Sequence, residues 1–104
     1  MTSAAEGYDA LCEELLTSPG VTIGRALSNE GLMVGGKLFA FLRRDRLVVK
    51  LPVARVAELI EDGTGDEALM GKRRMKQWVE VALDSHWSPV ARESCDYVRQ
   101  LHAG

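Results

Sequence analysis

GLMVGGKLFAFLRRDRLVVKLP, residues 31–52, is the stretch that decides the fold of this chain. It predicts three short antiparallel strands in succession. Gly35-Gly36 supplies a tight two-residue turn, because glycine accepts the positive φ that hairpin turns require. Arg44-Asp45 or its neighbours supply the second turn, and Pro52 ends the run because it lacks a backbone donor.

The second of these strands holds the segment from Leu38 to Leu42, which is apolar without a break. A strand with one wet face would alternate between apolar and polar residues, so we expect this one to be central and covered on both faces. Three helices on a single face would leave it half exposed. We therefore expect either helices on both faces or a second copy of the chain against the bare face, which is the basis of a homodimer hypothesis.

The remaining sequence predicts three helices around the strands. Ser3 and Glu6 have the form of a capping box at the start of the first helix. Pro52 suits the first turn of a second helix, where its missing amide costs nothing. Ser88-Pro89 suits the N-cap and first residue of a third helix.

Two further strands are predicted outside the central run. Residues 21–27 favour a weaker strand, and Met75 to Val81 alternates in the manner of a last strand. Residues 63–74 are predicted to be irregular. Together these elements predict an α+β fold with a mostly antiparallel sheet of about five strands and three helices, in the order α-β-β-β-β-α-β-α.

Length and composition predict one domain over residues 1–104, with 46% hydrophobic and 27% charged residues as in an ordinary globular protein. No apolar run approaches the roughly 18 residues needed to cross a bilayer. The acidic N-terminus lacks the pattern of a signal peptide. We therefore expect a cytoplasmic protein without a membrane partner.

The net charge of −2 argues against a general polyanion binder, but the charges are sorted along the chain. Residues 1–20 contain four acids and no base, whereas residues 71–82 contain four bases and one acid. The predicted strands are basic and the first two helices are acidic. If these elements separate in space, the molecule is dipolar.

The sequence lacks the common catalytic and nucleotide-binding motifs. Gly35-Gly36-Lys37 resembles a phosphate-binding step, but a strand follows it, which favours a plain hairpin turn. Residues 62–67 resemble part of a calcium loop without its full ligand series, which favours an acidic loop. Cys12 and Cys95 read as small buried residues, and Cys95 is too far from His102 for a nucleophilic pair. We expect no catalytic residue, no metal ligand and no cofactor.

Two basic segments are the candidate contacts with a partner. The first contains Lys72, Arg73, Arg74 and Lys76, and it is followed by Trp78. Guanidinium groups suit phosphates and carboxylates, and a nearby indole can stack on a base or on a peptide side chain. Arg43, Arg44 and Arg46 at a hairpin tip extend the same patch if the two segments lie close. The alternative is a charged loop whose Trp78 packs on a helix.

Several of these segments resemble the N-terminal domain of the TfoX family of competence regulators. The matching residues are Gly31-Leu32-Met33-Val34 with Gly36-Lys37-Leu38-Phe39-Ala40, then Leu47-Val48-Val49-Lys50, then Met75 with Trp78-Val79-Glu80-Val81 and the helix from Pro89. YjbR-like domains have a similar size and layout and are the near alternative. The chain departs from the family at residues 26–29, where relatives usually carry a Met-Phe-Gly-Gly step. The resemblance implies transcription-linked regulation and supplies no catalytic residue.

The sequence leaves three functional hypotheses open. The first is a non-enzymatic regulatory or protein-interaction domain of TfoX type that binds an unidentified protein partner. The second is a regulator that binds nucleic acid through the basic segments at 43–46 and 72–76. The third is a small-molecule enzyme, which would require polar side chains that converge inside a cavity.

Overall fold

The computed structural model of the chain describes residues 3–26, 29–82 and 87–101. Within these ranges the elements are α1 (Ala4–Leu15), β1 (Val21–Ala26), β2 (Asn29–Val34), β3 (Lys37–Arg43), β4 (Arg46–Lys50), α2 (Val53–Glu61), β5 (Gly65–Met70), β6 (Arg73–Ala82) and α3 (Trp87–Leu101). The predicted α+β class and element order are confirmed, with six strands where about five were expected.

The strands form one antiparallel sheet in the order β1-β2-β3-β4-β6-β5. Gly35 and Gly36 have φ values of 59° and 79°, so both residues of the β2–β3 turn use the left-handed conformation expected of them. Strand β3 is third of the six and therefore internal, as predicted.

The extra strand is β5, which lies in the segment predicted to be irregular, so that prediction was wrong. Its hairpin with β6 closes through a two-residue turn at Gly71-Lys72, between the paired residues Met70 and Arg73. Gly71 has a φ of 64°, which a two-residue hairpin turn accepts when glycine is its first central residue. Charged residues at 66–67 and 72–74 hide the strand pattern, because most of them are exposed.

The start of the third helix also differs from the expectation. Trp87 is already helical, buried, and donates its indole N–H to the carbonyl of Val81 at 3.0 Å. Ser88 is consequently inside the first turn and does not act as the N-cap. Its hydroxyl instead donates to Glu14 on α1 at 2.6 Å.

The apolar residues of β3 and β4 alternate between two buried clusters. Ala40 and Val49 pair with each other and belong to the main core, which also contains buried residues from all three helices. Phe41 and Val48 pair on the opposite face and belong to a second cluster that contains no helical residue. Both faces of the central strand are therefore covered, and the helices cover only one of them.

A β-bulge at Phe39 adapts β3 to these two clusters. Leu32 pairs with Ala40 and Met33 pairs with Leu38, so Phe39 is an extra residue on β3. Phe39 and Ala40 both enter the main core as a result, and Leu38 joins Phe41 on the opposite face. The bulge explains why two consecutive residues, Phe39 and Ala40, face the same cluster.

Ser94 of α3 binds the backbone where β3 and β4 separate. This fully buried hydroxyl lies 2.9 Å from the carbonyl oxygen of Phe39 and 2.6 Å from that of Lys50. Its single proton can be donated to only one of the two carbonyls at a time. Ser94 thus gives a donor to backbone groups next to the bulge and fixes α3 against the sheet.

The second face, which we call the back face, is covered by the chain's own β5–β6 hairpin. Ala68 of β5 is fully buried in the cluster with Phe41 and Val48. Neither of the two covers expected from the sequence, further helices or a second copy, is needed at these residues. The bare strand face that motivated the homodimer hypothesis is not present.

A sharp bend in β6 allows the hairpin to reach the back face. Glu67 pairs with Val79 and Leu69 pairs with Arg74, so four residues of β6 lie opposite Ala68 alone. In a flat sheet β5 and β3 would be about 14 Å apart, three strand spacings. Arg43 of β3 nevertheless donates to the carbonyl of Leu69 at 2.8 Å, which requires the distal hairpin to curl over the sheet.

Replacing Ser94 with Ala is expected to lower the free energy of unfolding by about 1–2 kcal/mol. The substitution removes the buried hydroxyl that donates a hydrogen bond to the carbonyl of Phe39 or Lys50. Urea unfolding followed by tryptophan fluorescence measures the change. Ser18→Ala, at a part-buried serine in the turn before β1, is the control and should stay within about 0.5 kcal/mol of wild type. Equal stability of the two variants would contradict this role of Ser94.

A second expectation concerns pH and the contact between α1 and α3. The Glu14 carboxylate accepts hydrogen bonds from the Ser88 hydroxyl and the Arg92 guanidinium, both at 2.6 Å, and these interactions lower its pKa against the opposing effect of desolvation. A carboxyl group whose pKa is lower in the folded state stabilises that state above its unfolded pKa. The contribution disappears as the pH falls through the folded value.

Wild type should therefore be more stable than Glu14→Gln at neutral pH. The difference should shrink once the pH falls below 4.5, the ordinary glutamate value. Urea unfolding at a series of pH values tests this, with Glu13→Gln on the exposed side of α1 as the control. A difference that stays constant down to the acid unfolding limit would show that Glu14 does not titrate as described.

Candidate functional site

Arg43 occupies the back face with all of its contacts directed into the fold. Its guanidinium lies 3.3 Å from the Glu80 carboxylate and 2.8 Å from the Leu69 carbonyl oxygen. Its central carbon lies 5.5 Å from the centroid of the Phe41 ring, a cation–π distance. Arg43 therefore ties the curled hairpin to the sheet, and the Glu80 carboxylate compensates its charge.

Two further cations of the predicted patch are also paired. Arg46 donates to Asp66 on β5, and this hydrogen bond raises the pKa of the guanidinium against the opposing effect of desolvation. Arg74 lies 3.4 Å from Glu67. Carboxylates of β5 and β6 thus compensate three of the seven basic residues singled out from the sequence.

The two predicted basic segments border different depressions, which meet at Met70. The first, which we call the tip cleft, has a volume of about 640 Å³ and lies between the β3–β4 turn and the end of β5. Its lining consists of Arg43, Arg44, Asp45, Arg46, Glu67, Leu69, Met70, Gly71 and Glu80. Three arginines and three acids give this cleft no net formal charge.

Arg44 is the member of the tip cleft with a special backbone. Its φ of 59° is positive, which is unfavourable for a residue with a Cβ atom, and Arg44 is the one non-glycine residue with positive φ in the described part of the chain. Its side chain is exposed and forms no ion pair with another described residue. The turn holds a cation at a position where glycine would be more stable.

The second depression, which we call the hairpin groove, has a volume of about 530 Å³ and follows the bend of β6. Its lining consists of Met70, Arg73, Arg74, Met75, Lys76, Gln77 and Trp78. Three cations and no acid line it, so it carries the net positive charge that the tip cleft lacks. Met70 has 56% of its surface exposed, which is high for a large apolar side chain.

Trp78 lines the hairpin groove and is held by two neighbours. The Phe41 ring lies at a centroid distance of 5.7 Å and an angle of 57°. The Lys50 ammonium lies 6.0 Å from the indole centroid. Trp78 therefore packs on the back face and not on a helix. An aromatic ring on one strand and a cation on another therefore hold the indole in place.

The two basic segments thus lie on either side of Met70, in two separate depressions, and do not form one continuous positive patch. Arg73, Arg74, Lys76 and Trp78 share the hairpin groove, while Lys72 lies in the adjoining turn. Three residues of this surface are not indicated by the sequence patterns: Met70, Met75 and Lys50. Gly71 is the sequence signal that could have predicted the β5–β6 hairpin turn. A turn there would also have predicted that Met70, the last residue of β5, is exposed.

Other reactive groups in the described part of the chain do not form a catalytic arrangement. Cys12 and Cys95 are free and buried, and burial is the largest effect that raises the pKa of each thiol, so neither is activated as a thiolate. Burial likewise raises the pKa of the Tyr8 hydroxyl. Within residues 3–26, 29–82 and 87–101, no group of three or more potential ligands could hold a metal ion. His86 and His102 lie outside the described residues.

No family model, curated protein or solved structure matches this chain in the comparisons made. The resemblance to the TfoX family therefore stays a prediction. Among the described helices, none is long and apolar enough to cross a membrane.

Replacing Arg44 with Gly should raise the free energy of unfolding by about 1 kcal/mol, because glycine removes the cost of a positive φ. Asp45→Gly is the matched control. Asp45 is the other turn residue and its φ is not positive, so the added flexibility of glycine should lower stability there. Thermal unfolding of both variants at one pH measures the difference. A loss of stability in Arg44→Gly would contradict the assigned turn geometry.

Proposed function

We propose that this protein is a non-catalytic, protein-interaction or regulatory module of the TfoX N-terminal type, and that it binds a segment of a partner protein in the hairpin groove. The observation that carries the proposal is the composition of that groove. The exposed side chain of Met70 and the partly buried side chain of Met75 lie beside Trp78 and beside three cations, and no described acid lines the groove. Apolar contacts with flanking charges are typical of peptide-binding surfaces.

Methionine supports a binding role in particular. Its unbranched thioether side chain adapts to different partner shapes, which is why methionine is frequent at surfaces that bind peptides. Met70 is on the curled hairpin and Met75 is on the bend of β6, so two separate backbone segments present methionine to the same groove. Trp78, fixed by Phe41 and Lys50, supplies a rigid wall against which a partner side chain can pack.

Nucleic-acid binding through residues 43–46 and 72–76 has weaker support. Arg43, Arg46 and Arg74 are engaged with carboxylates, and the tip cleft adds acids next to the arginines. A nucleic acid would bring its phosphates close to these acids. A homodimer is not part of the proposal, because the protein's own hairpin covers the strand face it was expected to bury. The cytoplasmic location stays a prediction.

Selection of peptides of about twelve residues from an unbiased display library tests the proposal. Met70→Ser should weaken binding of the selected peptides by about tenfold, the loss of one apolar contact of about 1.4 kcal/mol. Leu101→Ser is the matched control, because Leu101 is similarly exposed, at 48%, but lies on α3 outside the groove. The proposal fails if no peptide of any composition is selected, or if both variants bind the selected peptides equally well.

A further inference from the structure

The charges around the hairpin groove indicate which kind of protein segment it takes. The acids nearest to the groove on β5 and β6 already have cationic partners: Asp66 with Arg46, Glu67 with Arg74, and Glu80 with Arg43. Because each of these acids is already paired, it does not compensate the other cations that line the groove.

Arg73 and Lys76 carry that remaining charge. Both are exposed, both line the groove, and neither forms an ion pair with another described residue. Arg73 lies just before the bend of β6 and Lys76 lies within it, so the groove has cations along the same strand that presents Met75 and Trp78. Lys72 in the adjoining turn and Lys50, whose ammonium lies 6.0 Å from the indole centroid, add to the positive field.

From this arrangement we infer that the partner segment is acidic and amphipathic, with carboxylates that bind Arg73 and Lys76 and a large apolar side chain that packs between Met70 and Trp78. This inference rests on the proposed function. A carboxylate forms charge-assisted hydrogen bonds with a guanidinium, and the apolar side chain removes Met70 from water.

The same geometry favours an acidic peptide over a nucleic acid of similar charge. An uninterrupted polyanion would extend from the groove over the tip cleft, where three acids offset the three arginines and no net attraction is added. A peptide places two or three carboxylates locally and supplies the apolar anchor that nucleic acid lacks. Trp78 then serves as a wall for that anchor and not as a stacking platform.

Fluorescence anisotropy with a defined probe tests the inference. The probe is a fluorescein-labelled peptide of about twelve residues that contains several Glu residues and spaced Leu and Phe residues. Its matched partner has Gln in place of every Glu. The acidic peptide should bind at least about tenfold more tightly than the Gln peptide at low salt, and added salt should weaken it.

Protein variants locate the effect in the groove. The double variant Arg73→Gln with Lys76→Gln should weaken binding of the acidic peptide by about tenfold or more. Lys37→Gln with Arg44→Gln removes two exposed cations from outside the groove and is the control, with an expected change of less than about threefold. Circular dichroism confirms that both double variants are folded.

The outcomes separate this inference from the function on which it rests. If library-selected peptides bind in the groove but the Glu and Gln peptides bind equally well, the interaction function stands and the acidic partner class is wrong. An equal loss in the two double variants overturns the inference as well, because it would indicate only a general effect of net charge. Tighter binding of a single-stranded or duplex oligonucleotide of matched charge, lost in Arg73→Gln with Lys76→Gln, would assign the groove to nucleic acid instead.

Discussion

A central strand that is apolar on both faces constrains the whole architecture. Strand β3 places Ala40 toward the three helices and Phe41 toward the opposite side. Exposure of a phenylalanine together with Val48 would cost several kilocalories per mole, about 1.5–3 for each side chain, so the back face must be covered. The chain meets this requirement with its own β5–β6 hairpin, whose Ala68 completes the second cluster.

Covering the back face with a hairpin has consequences for the surface. The bend in β6 that turns the hairpin over the sheet also opens the hairpin groove, and it leaves Met70 at the exposed end of β5. Arg43, on the back face, holds the hairpin in place through the Leu69 carbonyl and Glu80. The bend in β6 thus has two effects: it brings Ala68 into the second buried cluster, and it positions the residues of the candidate interaction surface. Arg43 and Arg46, which fix the fold, are paired with acids, and so is Arg74 in the groove, while Arg73 and Lys76 form no ion pair with another described residue.

The sequence predicts the core of this fold well because its signals there are local. Paired glycines at 35–36 require a hairpin turn, and the unbroken run from Leu38 to Leu42 requires an internal strand. Strand β5 is not predicted from the sequence because Asp66 and Glu67 are residues that strands disfavour. Each forms an ion pair with an arginine that only the folded chain brings near. The bulge at Phe39 and the bend opposite Ala68 are likewise long-range, since each depends on the register of a neighbouring strand. The basic residues of the candidate surface can be identified from the sequence. Which of them form ion pairs cannot, because their acidic partners are brought near only by folding.

The contact of the hairpin with the back face is the claim on which both the fold and the groove depend. Measurement of nuclear Overhauser effects from the Ala68 methyl group tests it most directly. Cross-peaks from this methyl to the Phe41 ring and the Val48 methyl groups are expected, because the three side chains form one buried cluster. Cross-peaks from Ala68 to β6 alone, with none to β3 or β4, would show that the hairpin extends away from the sheet and would contradict the account.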